Sequence, residues 1–411
     1  MAIDLKKWQK HFKEKVLDNP KYKWYRRSVY AISFGYAIFL AVQSSPYYSA
    51  IGQAESAYKQ GNYPLAETYL KESLALCETF GSDWQNDKRT VRAMNNLAEL
   101  YRQKGRYREA EPYYRKTIEA AKVNFAENRP ERAVVHNNLA ALLREMGRYK
   151  ESESEYKEAL KIWQEKVKQD SPQLAKFMCG YAKLLCDQGR YQESEDLYLK
   201  ALALNEAKVG KSDVDNAYIL ANIGGLYRET KKYDLAEKYY KQALALDLAV
   251  LGQEHPDTAS DYNNLAALYR EQGKYDLATP LFEKALNIRL AKLGPNHRLT
   301  AKTLMGKAEL ARRQKDYKNA VLFAQKALLI QEKNLDAQHP ERAECLDILG
   351  QTYLDAGERQ KAVKPLSQAL VIREKLLDPS HPDRLASVQH LKQARNNLLE
   401  SGQRAPAEAM I

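Results

Sequence analysis

The sequence predicts an all-α fold, a solenoid of about eight helical hairpins that follows an apolar N-terminal helix. Nearly the same string recurs along the chain, as NNLAELYRQKGRYREA at 95–110, NNLAALLREMGRYKES at 137–152 and NNLAALYREQGKYDLA at 263–278. Within it, apolar residues recur at steps of three and four on both sides of a Gly-x-Tyr turn, which is typical of paired helices. One hairpin cannot bury its apolar faces alone, so several must stack.

The N-terminal tail, residues 1–27, is strongly basic. It carries nine Lys and Arg against three Asp and Glu, which is half of the net charge of +12 in the 411-residue chain. The charge therefore marks a tail rather than a nucleic-acid-binding body, and we expect no nucleic acid partner. Leu5, Trp8, Phe12 and Val16 recur at helical spacing among lysines, which favours an amphipathic helix on an anionic membrane surface. A solvated tail with a few apolar residues is the alternative.

The next segment, residues 28–48, is predicted to be a transmembrane signal anchor. No charged residue lies between Arg27 and Glu55, and 29–42 is apolar apart from Ser33, with aromatic residues at both ends. Lys and Arg precede the span, which places the N-terminus in the cytoplasm and the repeats on the far side, periplasmic or extracytoplasmic. A cleaved signal peptide is disfavoured because no Ala-x-Ala site follows. A hydrophobic helix packed on the array is the remaining alternative.

The repeats occupy residues 49–382, and their turn recurs every 42 residues after a first spacing of 44. A tyrosine follows the turn by two positions in seven of the eight repeats, and two small residues follow in the second helix. Glycine accepts the left-handed backbone that ends the first helix, and small residues let the second helix approach closely. We predict that these positions serve packing. The turn positions are Gly61, Gly105, Gly147, Gly189, Lys231, Gly273, Lys315 and Gly357.

This pattern resembles the tetratricopeptide repeat, and specifically its kinesin-light-chain-like variety with 42 rather than 34 residues per repeat. The extra residues lengthen the second helix, as in ALALDLAVLGQEHPDTA at 243–259, and the loops GQEHPDTA, GPNHRLTA, DAQHPERA and DPSHPDRLA carry the subfamily's His signature. The resemblance covers about 48–400. It implies a right-handed superhelix with a protein-binding concave groove. A motor subunit is not expected, because the N-terminus has an apolar span instead of heptads.

Catalytic and metal-binding motifs are not expected in this chain. The sequence contains no Gly-rich phosphate loop, nucleophile motif or His/Glu metal pair, so we predict no enzyme activity and no cofactor. Four cysteines are too few and too scattered for a disulfide framework. Four histidines recur 42 residues apart, and stacked hairpins keep such positions apart, so we expect them near helix starts. They are His255, His297, His339 and His381.

One face of the repeated first helix is the predicted peptide-binding surface. Asn263, Ala267 and Arg270 are spaced by four and three residues, away from the packing residues Leu265 and Leu268. The resemblance implies that this face lines the groove, where Asn hydrogen-bonds a peptide backbone and Arg binds acidic side chains. Both side chains suit those roles chemically. The predicted residues are Asn95, Asn96, Arg102, Asn137, Asn138, Arg144, Asn222, Arg228, Asn263, Asn264, Arg270 and Arg312.

A structural role for the same residues is the alternative. Glu145, Glu229 and Glu271 directly follow three of the arginines and could neutralise them, and the asparagines could bridge neighbouring repeats. Repeats four and eight interrupt the row, because other residue types stand there. The row therefore spans repeats two and three, then five and six.

The predicted function is a non-catalytic, membrane-anchored scaffold that binds an extended, acidic segment of a partner protein. The alternative is a structural subunit of a larger assembly, whose apolar N-terminal helix packs against the array or a partner. At the other end of the chain, residues 383–400 are predicted to form a capping helix that shields the last hairpin, and 401–411 a loose tail.

Overall fold

The computed structural model describes residues 46–58, 62–80, 87–125, 129–167 and 171–400, and these ranges contain helices and no strand. The first helices of the eight hairpins are α1 (46–58), α3 (Lys88–Gln103), α5 (Pro130–Glu145), α7 (Pro172–Asp187), α9 (Val214–Glu229), α11 (Pro256–Glu271), α13 (Arg298–Arg313) and α15 (Pro340–Asp355). The second helices are α2 (Tyr63–Cys77), α4 (Tyr107–Asn124), α6 (Tyr149–Lys161), α8 (Tyr191–Val209), α10 (Tyr233–Val250), α12 (Tyr275–Leu293), α14 (Tyr317–Asn334) and α16 (Arg359–Leu376). Helix α17 (Pro382–Glu400) follows the last hairpin. The predicted all-α solenoid is confirmed.

The predictions for the N-terminal region fall mostly outside the described residues. Residues 1–45, which hold the basic tail and most of the predicted anchor, and the tail 401–411 are not described. Residues 46–48 belong to α1, where Tyr47 is fully buried and donates its hydroxyl to the Arg89 carbonyl at 2.9 Å. Within the described ranges, no helix has the length and apolar character that crossing a membrane requires.

The turn between the two helices of a hairpin has a left-handed residue. Gly105, Gly147, Gly189, Gly273 and Gly357 have φ between 73° and 78°, which glycine adopts without steric cost. In the second repeat the N–H of Arg106 then donates to the Tyr101 carbonyl at 2.8 Å, the bond that closes a helix with such a residue. The five repeats with a described glycine at this place therefore reverse direction in the same way.

Close packing of the two helices of each hairpin depends on small side chains. Two positions in every second helix are fully buried. At the first of these positions two repeats have serine, whose hydroxyl bonds the first helix: Ser152 Oγ donates to the Ala140 carbonyl and Ser194 Oγ to the Ala182 carbonyl, both at 2.7 Å. The buried positions are Ala66, Ala110, Ser152, Ser194, Ala236, Ala278, Ala320 and Ala362, then Ser73, Thr117, Ala159, Ala201, Ala243, Ala285, Ala327 and Ala369.

The four repeated histidines cap helices. His255, His297, His339 and His381 each stand directly before a first helix or α17, and each Nδ1 accepts the backbone N–H two residues later at 3.0–3.2 Å. Asp87 and Asp213 do the same at earlier repeats, although histidine is not among the preferred N-cap residues.

The second turn of the superhelix packs on the first. His339 Nε2 lies 3.0 Å from the Gln103 carbonyl oxygen, 236 residues earlier in the chain, and the Asp378 N–H donates to the Met146 carbonyl at 3.3 Å. Tyr101 shares an apolar core with residues of repeat eight, including Leu376. We call this set of contacts the inter-turn contact. It joins the hairpin turns of repeats two and three to the loops before repeat eight and α17.

The concave groove as candidate binding site

The first helices of the hairpins line a concave groove whose cavity has a volume of about 1480 Å³. The cavity runs along repeats three to eight, and the inter-turn contact closes the superhelix around it. Seven of the twelve predicted residues line it: Arg144, Asn222, Arg228, Asn263, Asn264, Arg270 and Arg312. The other five, Asn95, Asn96, Arg102, Asn137 and Asn138, are not among its lining residues.

The asparagines of repeats two and three contact each other. Asn138 Nδ2 donates to Asn95 Oδ1 at 3.1 Å, and Asn137 Nδ2 lies 3.4 Å from Asn138 Oδ1. A hydrogen bond between neighbouring repeats ties their first helices together. Asn95 and Asn138 therefore form the bridge between repeats that the sequence left as an alternative.

Four arginines of the predicted row pair with an acid of the following repeat, and we call this row the arginine ladder. The acid stands 43 residues after its arginine. Arg144 Nη1 donates to Asp187 Oδ2 at 2.6 Å, whereas Arg228 Nε lies 3.6 Å from Glu271 Oε1. Such pairs neutralise the arginines and join successive first helices. The rungs are Arg102–Glu145, Arg144–Asp187, Arg228–Glu271 and Arg312–Asp355.

Arg270 has no acid at that position, because Arg313 stands there. Among the described residues, the nearest carboxylate oxygen to Arg270 is Glu271 Oε1 at 3.8 Å, and Arg228 shares that oxygen. Arg313 donates instead to Glu309 Oε1 at 3.1 Å and keeps 58% of its side chain exposed. The ladder therefore has one rung with two cations and no acid of its own.

The pKa shifts separate Arg270 from the paired arginines. Burial lowers the pKa of Arg270; the charges of Glu309 and Glu271 offset part of this, and those of Arg228 and Arg313 lower the pKa further. Burial also opposes the charged form of Arg144 and Arg312, but their acid partners raise the pKa of both above the usual value. An anion next to Arg270 would supply what the other rungs already have.

Asn263 lies on the same helix as Arg270, two turns earlier. Its side chain is 9% exposed, and its Oδ1 has no hydrogen-bond partner among the described residues. Ala267 stands between them and fills little space. A buried amide oxygen without a donor costs free energy, so this oxygen favours a ligand that brings an N–H group.

The groove also contains charged side chains that were not among the residues predicted from the sequence. Lys183 and Lys302 line the cavity, as do Glu341 and Glu344. The charge of Arg144 and burial lower the pKa of Lys183 to about 8, and burial followed by Glu341 raises the pKa of Glu344. Lys302 and Glu344 occupy the same place in successive repeats but carry opposite charges, so no repeated residue type marks this position in the sequence.

The described residues contain no group of three or more His, Cys, Asp and Glu placed to hold a metal ion. The four cysteines are free, and burial raises the pKa of the Cys179 thiol to about 12. This thiol is therefore protonated and unreactive near neutral pH.

Comparisons with known proteins agree with the fold. The family model described as tetratricopeptide repeat matches in seven overlapping stretches, at 48–122, 89–165, 131–207, 173–249, 213–291, 257–328 and 299–375. No curated protein matches the chain.

Three solved structures are similar to this chain. BtubC (BKLC) from P. vanneervenii is 22% identical over 58% of this chain and 93% of its own, with a TM-score of 0.43. The nearly identical TPR-like repeats from Podosopora anserina, described as a kinesin light chain, are 22% identical over 50% of this chain and 98% of their own, with a TM-score of 0.40. Yeast Tom70 is 15% identical over 84% of this chain and 65% of its own, with a TM-score of 0.52. At these identities the likeness concerns the fold.

Proposed function

Since the chain belongs to the tetratricopeptide repeat family, we propose that it is a non-catalytic scaffold that binds an extended, acidic segment of a partner protein in its groove. Arrays of stacked hairpins form long concave surfaces, and such surfaces typically serve protein–protein interaction. The partner's identity does not follow from the family.

The observation that carries the proposal is the composition of the groove wall. Asn222 and Asn264 line the cavity one repeat apart, and each offers a donor and an acceptor to a peptide bond. Asn222 Nδ2 donates to the Tyr218 carbonyl at 2.9 Å. This bond lies within one helix and does not join two repeats. These asparagines differ in this respect from Asn95 and Asn138, which bond each other.

The test replaces Asn222 and Asn264. We expect Asn222→Ala with Asn264→Ala to weaken binding of ten-residue peptides from an immobilised array by at least about tenfold, because two backbone contacts are lost. Binding is measured by fluorescence with labelled protein. Asn287→Ala is the matched control, since Asn287 is exposed on α12 and does not line the cavity. Equal binding by the double variant and the control would contradict the proposal.

A structural role is the second candidate, and the paired rungs of the arginine ladder favour it. Arg144 and Arg312 already hold acids of the next repeat, so their charges are not available to a ligand. In this reading the array is a rigid subunit of a larger assembly and its groove is empty. The same peptide array separates the two functions, because the structural reading predicts no binding by the wild-type protein.

We also propose that the apolar segment anchors the chain in a membrane, with the repeats on the far side from the cytoplasm. The support is the charge-free stretch after nine Lys and Arg. Because residue 46 already belongs to α1 and Tyr47 is buried there, the proposed span would end before residue 46. Alkaline extraction of membranes tests the anchor. Protease treatment of spheroplasts that express the chain with a C-terminal tag tests its orientation. Release by alkali, or a protected tag, would contradict the anchor or its orientation.

A further inference from the structure

We propose that four side chains at one repeated position of the first helices select the partner by the order of its residues, and we call them the variable row. They belong to repeats five to eight and all line the cavity: Tyr218, Ser260, Lys302 and Glu344. The bound segment presents an apolar or aromatic residue to the row, then an acid six residues away and a base three residues beyond the acid. The inference rests on the proposed function of the groove and adds the chemistry of the partner sequence.

The first argument comes from a comparison of the repeats. The four residues stand 42 positions apart, one helical turn before Asn222 and Asn264 and their equivalents, so they have the same backbone position in each repeat. Positions that serve packing keep small side chains along the whole array. The variable row instead changes from an aromatic ring to a hydroxyl, a cation and an anion. A position that faces the cavity and differs in every repeat is suited to discriminate among ligand side chains.

The second argument is that three of these side chains are accessible from the groove. Tyr218 lines the cavity and is 57% exposed, and Lys302 and Glu344 are exposed as well. Among the described residues, neither Lys302 nor Glu344 forms an ion pair or a side-chain hydrogen bond. Ser260 differs, since its Oγ already accepts a bond from Arg289 at 2.9 Å. A ligand can therefore contact one aromatic ring, one cation and one anion in this order along the groove.

The third argument gives the spacing of the partner residues. Packed helices lie about 8–10 Å apart, and an extended polyproline II segment rises about 9 Å per turn of three residues. Every third residue of such a segment therefore meets the next repeat. Tyr218 and Lys302 are two repeats apart, and Glu344 is one repeat further. The complementary segment has an apolar residue, an acid at the sixth position from it and a base at the ninth, since opposite charges attract and like charges are excluded.

The test uses two ten-residue peptides built on alanine and proline. The first has phenylalanine at position 1, glutamate at position 7 and lysine at position 10, and the second exchanges the glutamate and the lysine. Both are also made with the sequence reversed, so that each chain direction is sampled. We expect the full-length wild-type protein to bind the first peptide, in one of the two directions, at least about tenfold more tightly than the second. Fluorescence anisotropy of labelled peptides measures the affinities.

An exchange of two charges in the protein should invert this preference. Lys302→Glu with Glu344→Lys keeps the net charge, so we expect the variant to bind the second peptide at least about tenfold more tightly than the first. Glu158→Lys with Lys161→Glu is the matched control, since both residues are exposed on α6 and do not line the cavity. It should behave as wild type. Tyr218→Ala should keep the charge preference and lose the preference for phenylalanine over alanine at position 1.

The outcomes distinguish the two proposals. If the peptide array of the proposed function shows binding but the order of charges has no effect, or if the charge-exchanged variant keeps the wild-type preference, selection by the variable row is wrong and groove binding stands. If no peptide of either set binds, groove binding itself is wrong. Circular dichroism of each variant shows whether it folds. Tyr218→Ala keeps the test valid should the charge-exchanged variant unfold, because an unchanged preference for phenylalanine would also contradict the proposal.

Discussion

One buried polar position near the end of the second helix differs in chemistry from repeat to repeat. Asn205 donates to Asn216 Oδ1 of the next helix at 2.9 Å, and the buried Arg289 donates to Thr303 Oγ1 at 2.6 Å. At the equivalent place between repeats five and six, two acids meet, Asp247 and Asp261, which are 5% and 4% exposed. Burial and then Asp247 raise the pKa of Asp261 to about 8. Two neighbouring buried carboxyl groups avoid charge repulsion only if one of them stays protonated.

This pair gives a pH dependence that a single substitution tests. The unfolded pKa is 3.8, so the unfolded chain loses the Asp261 proton first. Stability from this group therefore falls as pH rises from about 4 to about 8, and is constant above that range. Asp261→Asn should be more stable than wild type at pH 9 by more than about 1 kcal/mol and lose most of this slope.

The measurement is urea denaturation at pH 5, 7 and 9. Asp276→Asn, which removes the same charge from an exposed side chain that does not act on Asp247 or Asp261, should leave the slope unchanged. Parallel pH profiles for wild type and Asp261→Asn would contradict the prediction.

The residues of the groove were predictable in type but only partly in role. Spacing alone placed the Asn and Arg positions on one helix face. Whether an arginine of the row is neutralised depends on the residue 43 positions later. Asp187 at that place pairs with Arg144, whereas Arg313 at that place lowers the pKa of Arg270. The signal was present in the sequence, since acids follow most arginines of the row, but only the packed structure shows which arginine each acid bonds.

At the scale of single elements, the hairpin turn recurs along the array, and two of the turns have lysine in place of the left-handed glycine. Lys231 and Lys315 are the only non-glycine residues with positive φ in the described ranges, at 57° and 64°. Their neighbours form the usual closing bonds: the Lys232 N–H donates to the Tyr227 carbonyl at 2.8 Å. The turn therefore forms without glycine, at the steric cost of a left-handed side chain.

Replacing that lysine relieves this cost. Lys231→Gly should raise the free energy of unfolding by up to about 1 kcal/mol, because the strain removed exceeds the backbone entropy that glycine adds to the unfolded chain. Thermal and urea denaturation measure it. Lys231→Ala keeps the strain and should show no gain. A Gly variant no more stable than the Ala variant would contradict the explanation.

The helices themselves follow closely from the sequence, because spacing, turn residues and small residues all indicate the same hairpin. The histidines show a feature that spacing does not predict. Their place near helix starts was predictable, but the use of Nδ1 as a cap at His255 and His297 was not, since histidine has no strong preference for that position. The cap depends on a neutral ring, and burial lowers the pKa of His297.

At the scale of the whole molecule, the inter-turn contact changes how the array should unfold. An open solenoid has contacts only between neighbouring repeats, and its stability is a sum of local terms. Here Arg298 of repeat seven donates to Gln103 of repeat two at 2.7 Å, 195 residues away. The contact could not be derived from the sequence, because it depends on small rotations that accumulate over several repeats.

Two glycines with the same backbone conformation isolate the contact. A Cβ on Gly105 would lie 2.8 Å from the Cα of His339, whereas one on Gly189 would meet nothing within 4 Å, and both have φ of 75°. Gly189→Ala should cost about 1–2 kcal/mol for the left-handed alanine alone. Gly105→Ala should cost a further 1–3 kcal/mol or so from overpacking.

Urea denaturation of the two variants gives the difference directly. Gly105→Ala should also separate the unfolding of repeats two and three from that of repeat eight in hydrogen exchange. Equal losses of stability in the two variants would mean that the contact contributes little.

The same contact has a topological consequence for the groove. Because His339 and Asp378 of the second superhelical turn lie on Gln103 and Met146 of the first, a segment bound in the groove as proposed would be encircled rather than laid on an open surface. A chain can enter by threading a free end along the superhelix axis, or after the two turns part. Association should then be slower than binding to a flat surface. A partner with folded domains on both sides of the segment could not slide out along the superhelix axis and would be retained.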